Sequence, residues 1–230
     1  MNDREIWEMQ KELKEKFFGR FYQVFLNNGG SNESLLGLSK DEKALDSLVS
    51  KLTFQMLDNE KEARNAAEQN VRNLPIWKVI KKMDGDIMQL LWGIKTTDCF
   101  GDTRTLNHIE HLISQEECKE IEIKIVKISV TELGFPFGTS AEKIFQRGRE
   151  LGLELIPVEF VIWFRAQYTD QPDGEILNIV SKPFFCAEGR CDEVFQIQNL
   201  VGSCHSGHYL SSHNMYRICE ANEIWVFKRP

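Results

Sequence analysis

Four cysteines and three histidines fall between Cys186 and Cys219, namely Cys186, Cys191, Cys204, His205, His208, His213 and Cys219. Thiolate and imidazole are preferred zinc ligands, and four of them complete a tetrahedral site. Cys186, Cys191, Cys204 and His208 are the candidate zinc set, since Cys204 and His208 are close enough in sequence to meet on one turn. Their spacing departs from that of known zinc sites. There is no C-x-x-C knuckle, and Cys186-x4-Cys191 is a loose first half. An enzymatic reading would pair a Cys nucleophile with His205 or His208 as base. That chemistry needs a lowered thiol pKa and a base within hydrogen-bond reach, and no cysteine-protease signature surrounds any of the six cysteines. The plainer reading is buried thiols with histidines on loops.

The second constellation is carboxylic. Glu159, Asp170, Asp173 and Glu175 flank a turn, with Arg165 and Tyr168 on the segment before it. Paired carboxylates serve acid–base work or hold a divalent cation. Turns are also acidic and polar for structural reasons, and an Arg165–Glu175 pair across a hairpin would be a plain cross-strand ion pair. Arg165, Tyr168, Asp170 and Glu175 are the candidate binding residues. Neither a G-x-x-x-x-G-K-[ST] loop nor a strand-linked G-x-G-x-x-G occurs, and G-x-S-x-G, H-E-x-x-H and EF-hand patterns are absent too. No catalytic residue is assigned.

The elements that would position these residues follow from periodicity. Ile6, Met9, Leu13, Phe17, Phe21 and Val24 recur at helical spacing, and Asn27-Asn28-Gly29-Gly30 closes that helix. Ser39 with Glu42 and Asn59 with Glu62 read as capping boxes opening two further helices. Leu74-Pro75 marks a break, residues 76–83 read as a short helix, residues 87–92 as an apolar stretch, and Leu106, Ile109, Leu112 and Ile113 as another helix.

The texture changes at Glu120. Ile121, Ile123 and Ile125 alternate with Glu122 and Lys124, the period of a half-buried strand. A helix follows with Thr139 or Ser140 as N-cap, Ile144, Phe145, Gly148 and Leu151 on one face, and Gly152 at its end. Residues 160–168 and 175–181 read as two strands of a hairpin around Asp170-Gln171-Pro172-Asp173-Gly174. Later strands are expected at 193–201 and 223–228.

Certain of these residues carry a resemblance. They are Trp77-Lys78-Val79-Ile80-Lys81, Val130-Thr131-Glu132-Leu133-Gly134-Phe135, Leu151-Gly152-Leu153-Glu154-Leu155, Pro157 and Glu159, then Arg165, Tyr168, Asp170-Gln171-Pro172, Gly174-Glu175 and Trp225-Val226-Phe227. In order and spacing, residues 75–230 resemble a family of uncharacterised bacterial proteins. The resemblance implies one folding unit over 120–230 and brings no activity, cofactor or catalytic residue. Ile156 stands where similar sequences carry a cysteine, and the Cys/His stretch after Cys186 is peculiar to this chain.

Composition sets the remaining bounds. At 230 residues with 42% hydrophobic and 27% charged side chains, the chain has ordinary globular usage. Its net charge of −7 opposes broad nucleic-acid binding, which draws its affinity from Lys and Arg on phosphates. Residues 1–16 are charged throughout and lack the apolar core of a secretory signal, and no stretch has the length of a membrane span. A soluble cytoplasmic protein with reduced thiols is expected.

The expected fold is α+β: a helical region over 1–118, then a mostly antiparallel sheet region over 119–230 with one covering helix. The expected function is a non-catalytic binding or protein-interaction module for a protein or small-molecule partner. Its alternative is a zinc-binding protein or enzyme using the Cys/His cluster.

Overall fold

The computed structural model describes residues 42–96, 103–115, 118–186, 191–200 and 207–230. The chain divides into two compact units, Met1–Glu62 and Ala63–Pro230. Of the first, only the start of helix α1 (Glu42–Arg72) is described. The helix expected around Ile6 to Val24 and the Ser39 cap lie outside the described residues. The second expected cap, Asn59 with Glu62, is corrected. α1 passes through it without a break, because the run 59–72 is rich in Ala, Glu, Gln, Lys and Arg and holds no Gly or Pro.

The second unit is an α+β fold around one mixed sheet of six strands in the order β1-β2-β8-β4-β5-β6. The strands are β1 (Lys78–Lys81), β2 (Glu122–Ser129), β4 (Ile176–Cys186), β5 (Cys191–Leu200), β6 (Gly207–Asn214) and β8 (Ile224–Arg229). The β4–β8 pairing is parallel and the other four are antiparallel. A separate short pair joins β3 (Thr139–Ser140) to β7 (Ile218–Cys219). The helices are α2 (Ile87–Thr96), α3 (Thr103–Gln115), α4 (Ala141–Glu150) and α5 (Val158–Gln167).

Alternation along the strands separates two cores. Ile123 and Ile125, Leu177 and Ile179, Phe195 and Ile197, Leu210 and Val226 point to one face, where they pack with Phe160, Phe164, Leu91 and Ile109 from α5, α2 and α3. Val126, Ile128, Val180, Val194, Trp225 and Phe227 point to the other face and meet Ile144 and Phe145 of α4. The single covering helix of the sequence reading is therefore corrected. Helices lie on both faces, and a two-sided sheet needs apolar cover on each.

Two further expectations are overturned. Residues 76–83 are not a helix, because β1 pairs with β2 from Lys78↔Ile125 to Lys81↔Glu122. That strand places sheet structure inside the region expected to be helical. Residues 160–168 are not a strand but α5, whose Phe160, Val161, Ile162, Trp163, Phe164 and Arg165 are all buried. A helix apolar on every side has no amphipathic period, so a short apolar run of this kind reads equally as a strand. The turn beyond it is present, with Gly174 at φ 75° and the Glu175 N–H donating to the Pro172 carbonyl at 3.1 Å, but it joins a helix to a strand.

Gly148 lets α4 sit down on the sheet. A Cβ there would collide with Cε1 of the Phe227 ring, with Cζ and Cδ1 at 2.8 and 2.9 Å. Gly148→Ala is expected to lower the unfolding free energy despite the better helix propensity of alanine. Overpacking costs about 1–3 kcal/mol, against a propensity gain of about 1 kcal/mol. An unchanged or raised midpoint in chemical denaturation would refute the close α4–β8 approach.

Candidate functional site

Helix α4 covers the β2–β8 half of its face, while the strand register brings a polar row onto the half formed by β4, β5 and β6. Trp225 pairs with Asn178, Asn178 with Gln196, and Gln196 with Ser211, so these four residues file across four strands. Gln198 and His213 lie on the same face, two residues from Gln196 and Ser211 along their strands. Arg217 and Glu223 reach in from the segments before β7 and β8.

Asn178 is the hub, and only 1% of its surface is exposed. Its carbonyl oxygen accepts from Gln196 Nε2 at 2.9 Å and from His213 Nε2 at 2.8 Å. Its Nδ2 donates to the Ile224 carbonyl at 3.1 Å and to Glu223 Oε2 at 3.3 Å. Arg217 grips Glu223 with Nη1 to Oε1 at 2.7 Å and Nη2 to Oε2 at 2.5 Å, the two-pronged geometry that suits a guanidinium and a carboxylate. The Glu220 N–H adds a further donor to Oε1 at 2.8 Å.

Arg217 Nε donates to His213 Nδ1 at 3.0 Å, so the imidazole carries its proton on Nε2. The opposite tautomer would satisfy the Asn214 carbonyl 3.1 Å from Nδ1, but it would set two donors against each other at Arg217 and two acceptors at Asn178. Burial, and then the Arg217 charge, push the His213 pKa down to about 4. Glu223 is held below the usual carboxylate range. Its burial acts the other way, and the Arg217 and Glu220 hydrogen bonds outweigh it. Each titratable group here is thus fixed in one protonation state near neutral pH.

Asn178, Gln196, Arg217 and Glu223 line a recess of about 430 Å³, with Ile176 and Ile224 as its apolar wall. Among the described residues, three groups on this face have bonding capacity left over. Gln196 Nε2 spends one of its two N–H bonds on Asn178. Gln198 spends both N–H bonds, on Gln196 Oε1 at 2.9 Å and Ser211 Oγ at 2.5 Å, and keeps its carbonyl oxygen. Ser211 accepts that bond and keeps its hydroxyl proton. A donor, an acceptor and a second donor thus sit side by side.

The candidate binding residues of the sequence reading form a different cluster, on the α5 side of the sheet. Arg165 stands on α5, is 3% exposed, and donates to Gln171 Oε1 at 2.5 Å and to the Tyr168 carbonyl. Burial draws its pKa down to about 10. Tyr168, also buried, donates its hydroxyl to Glu175 Oε2 at 2.6 Å, and Glu175 is ion-paired with Lys127. Burial, then the Glu175 hydrogen bond, raise the Tyr168 pKa. Asp170 is paired with Lys78 at 3.1 Å, and that hydrogen bond lowers its pKa. Trp77 stands edge-on to Tyr168 at 5.2 Å, and the Lys78 ammonium lies 4.6 Å from the Tyr168 ring centre. All four residues have internal partners. Arg165 and Glu175 do not pair with each other: they meet through Tyr168, whose carbonyl and hydroxyl they share.

The Cys/His set is described only in part. Cys186 of β4 and Cys191 of β5 are backbone partners. His208 lies on the opposite face from His213, and Cys204 and His205 lie outside the described residues. Burial, then Arg165, lower the His208 pKa. Among the described residues, no three His, Cys, Asp or Glu side chains are gathered as a metal group would require.

Sequence reading missed the recess. Its signals were weak: Gln196 and Gln198 alternate with Phe195 and Ile197, and His213 stands among the cysteines and histidines between Cys186 and Cys219. Among the described residues, no helix is long and apolar enough to cross a membrane. Compared with known proteins, the chain matches no family model, no curated protein and no solved structure.

Proposed function

We propose that this protein is a non-catalytic binding module whose polar recess on the β4–β5–β6 face takes a small, neutral ligand that both donates and accepts hydrogen bonds. The observation that carries the reading is the unspent donor–acceptor–donor row of Gln196, Gln198 and Ser211 beside a recess floored by the buried Asn178 amide. Hydroxyl groups or carboxamides match that row. A charged ligand matches it poorly, because Arg217 and Glu223 already neutralise each other.

Binding fits the chemistry better than catalysis. His213 has both ring nitrogens engaged and a depressed pKa, so it neither takes up nor releases a proton near neutrality. Glu223 accepts from three residues and stays ionised. What remains is a set of oriented amides and a hydroxyl, which fix a ligand's orientation.

N-acetylglucosamine presents hydroxyls and an amide together, so it is a suitable probe, with glucose and an N-acetyl dipeptide amide separating the two chemistries. Titration is expected to shift the side-chain NH₂ resonances of Gln196 and Gln198 saturably, and Gln196→Ala is expected to abolish the response while leaving the fold intact. No movement of either resonance with any of the three probes would overturn the reading.

A further inference from the structure

We infer that the outer edge of β6 is an interface through which two copies of this chain pair strand to strand, extending the six-stranded sheet across a twofold axis. The two edges of the sheet are built differently. β1, at one edge, is four residues long and carries Lys78 and Lys81. Short length and lysines are the usual means by which a sheet edge resists further pairing.

β6, at the other edge, has none of this protection. It is eight residues long and pairs with β5 without a slip from Glu193↔Asn214 to Leu200↔Gly207. Its sequence, Gly-His-Tyr-Leu-Ser-Ser-His-Asn, holds no Lys, Arg, Asp, Glu or Pro. Among the described residues no strand pairs with its outer side. A strand of this length without a bulge presents alternate N–H and C=O groups outward, and such groups need partners.

Charge selects the partner. Two chains of net charge −7 repel almost everywhere they approach. An edge with no ionised side chain is where that repulsion is weakest, and an antiparallel pair of identical strands is self-complementary. Antiparallel self-pairing centred on Ser211 sets that residue against its own copy. Helix α3 reaches β6 from the face, through Thr105 Oγ1 and Ser212 Oγ at 2.9 Å.

Sedimentation of the full chain across a dilution series is expected to show a reversible rise from the 26.7 kDa chain to twice that mass. Ser211→Lys and Ser211→Glu each place like charges against each other at the centre of the pair and are expected to weaken it about fivefold or more. An equimolar mixture of the two variants is expected to regain the wild-type association. In the wild type, alternate β6 amides are expected to gain exchange protection as concentration rises. A wild type that stays monomeric, variants that associate like the wild type, a mixture that fails to recover, or β6 amides whose exchange ignores concentration would each overturn the interface. Ser211 also belongs to the polar row, so its variants are read for association only, and the wild-type dilution series and β6 amide exchange test the interface apart from ligand binding.

Discussion

Arg165→Leu is expected to be among the most destabilising polar substitutions in the chain, lowering the unfolding free energy by about 3 kcal/mol. The guanidinium is 3% exposed and donates to the Tyr168 carbonyl and the Gln171 side chain. Hydrogen bonds to a charged group contribute about 1.5–3 kcal/mol each, and removing the donor also leaves buried acceptors unsatisfied. The loss should spread, since Gln171 donates onward to the Glu175 carbonyl at 3.0 Å and accepts, through its own carbonyl, from Asn199 Nδ2 at 2.8 Å. Arg165→Lys should recover little, because an ammonium cannot span both acceptors in the plane of the fork. Urea denaturation of the two variants measures this. A near-native midpoint for Arg165→Leu would mean that the side chain is available for a ligand rather than committed to the fold.

The second large effect is a loss of stability on mild acidification, traced to His213. Its pKa falls from an ordinary 6.5 when unfolded to about 4 when folded, so on acidification the unfolded chain takes up this proton first. The stabilisation is fully present above pH 6.5 and is lost progressively as the pH falls towards 4. At 1.36 kcal/mol for each pH unit, the full span is worth up to about 3 kcal/mol. Glu223 adds in the same direction at lower pH, because its carboxylate is bonded to Arg217 and its depressed pKa makes protonation costly to the fold. Denaturation of the wild type at pH 7 and pH 5 should show the drop, and His213→Gln should be less stable at pH 7 but respond less to acid. An equal pH response in the two proteins would place the acid sensitivity elsewhere.

Sequence periodicity revealed the parts of the fold in which one side of an element is wet. The alternation from Ile121 to Ile125 gave β2, and the face of Ile144, Phe145 and Gly148 gave α4, with Gly152 beyond its end at φ 79°. The same method failed at α5, where burial on every side removes the contrast that marks a period. It failed at β1 for a different reason. Four residues are too few to show a period, and the β2 partner of that strand lies more than forty positions away.

The candidate site divides along the same line. The polar alternation of β5 and the uncharged run of β6 are properties of neighbouring residues and can be read from the sequence alone. Only the tertiary structure decided which side chains meet. Asn178, Gln196, His213, Arg217 and Glu223 span forty-six positions (178 to 223), and it is the β4–β5–β6 register with the parallel β4–β8 pairing that gathers them around one amide. Long-range strand pairing is fixed by the burial of both sheet faces together, a property of the assembled core that no local stretch of sequence carries.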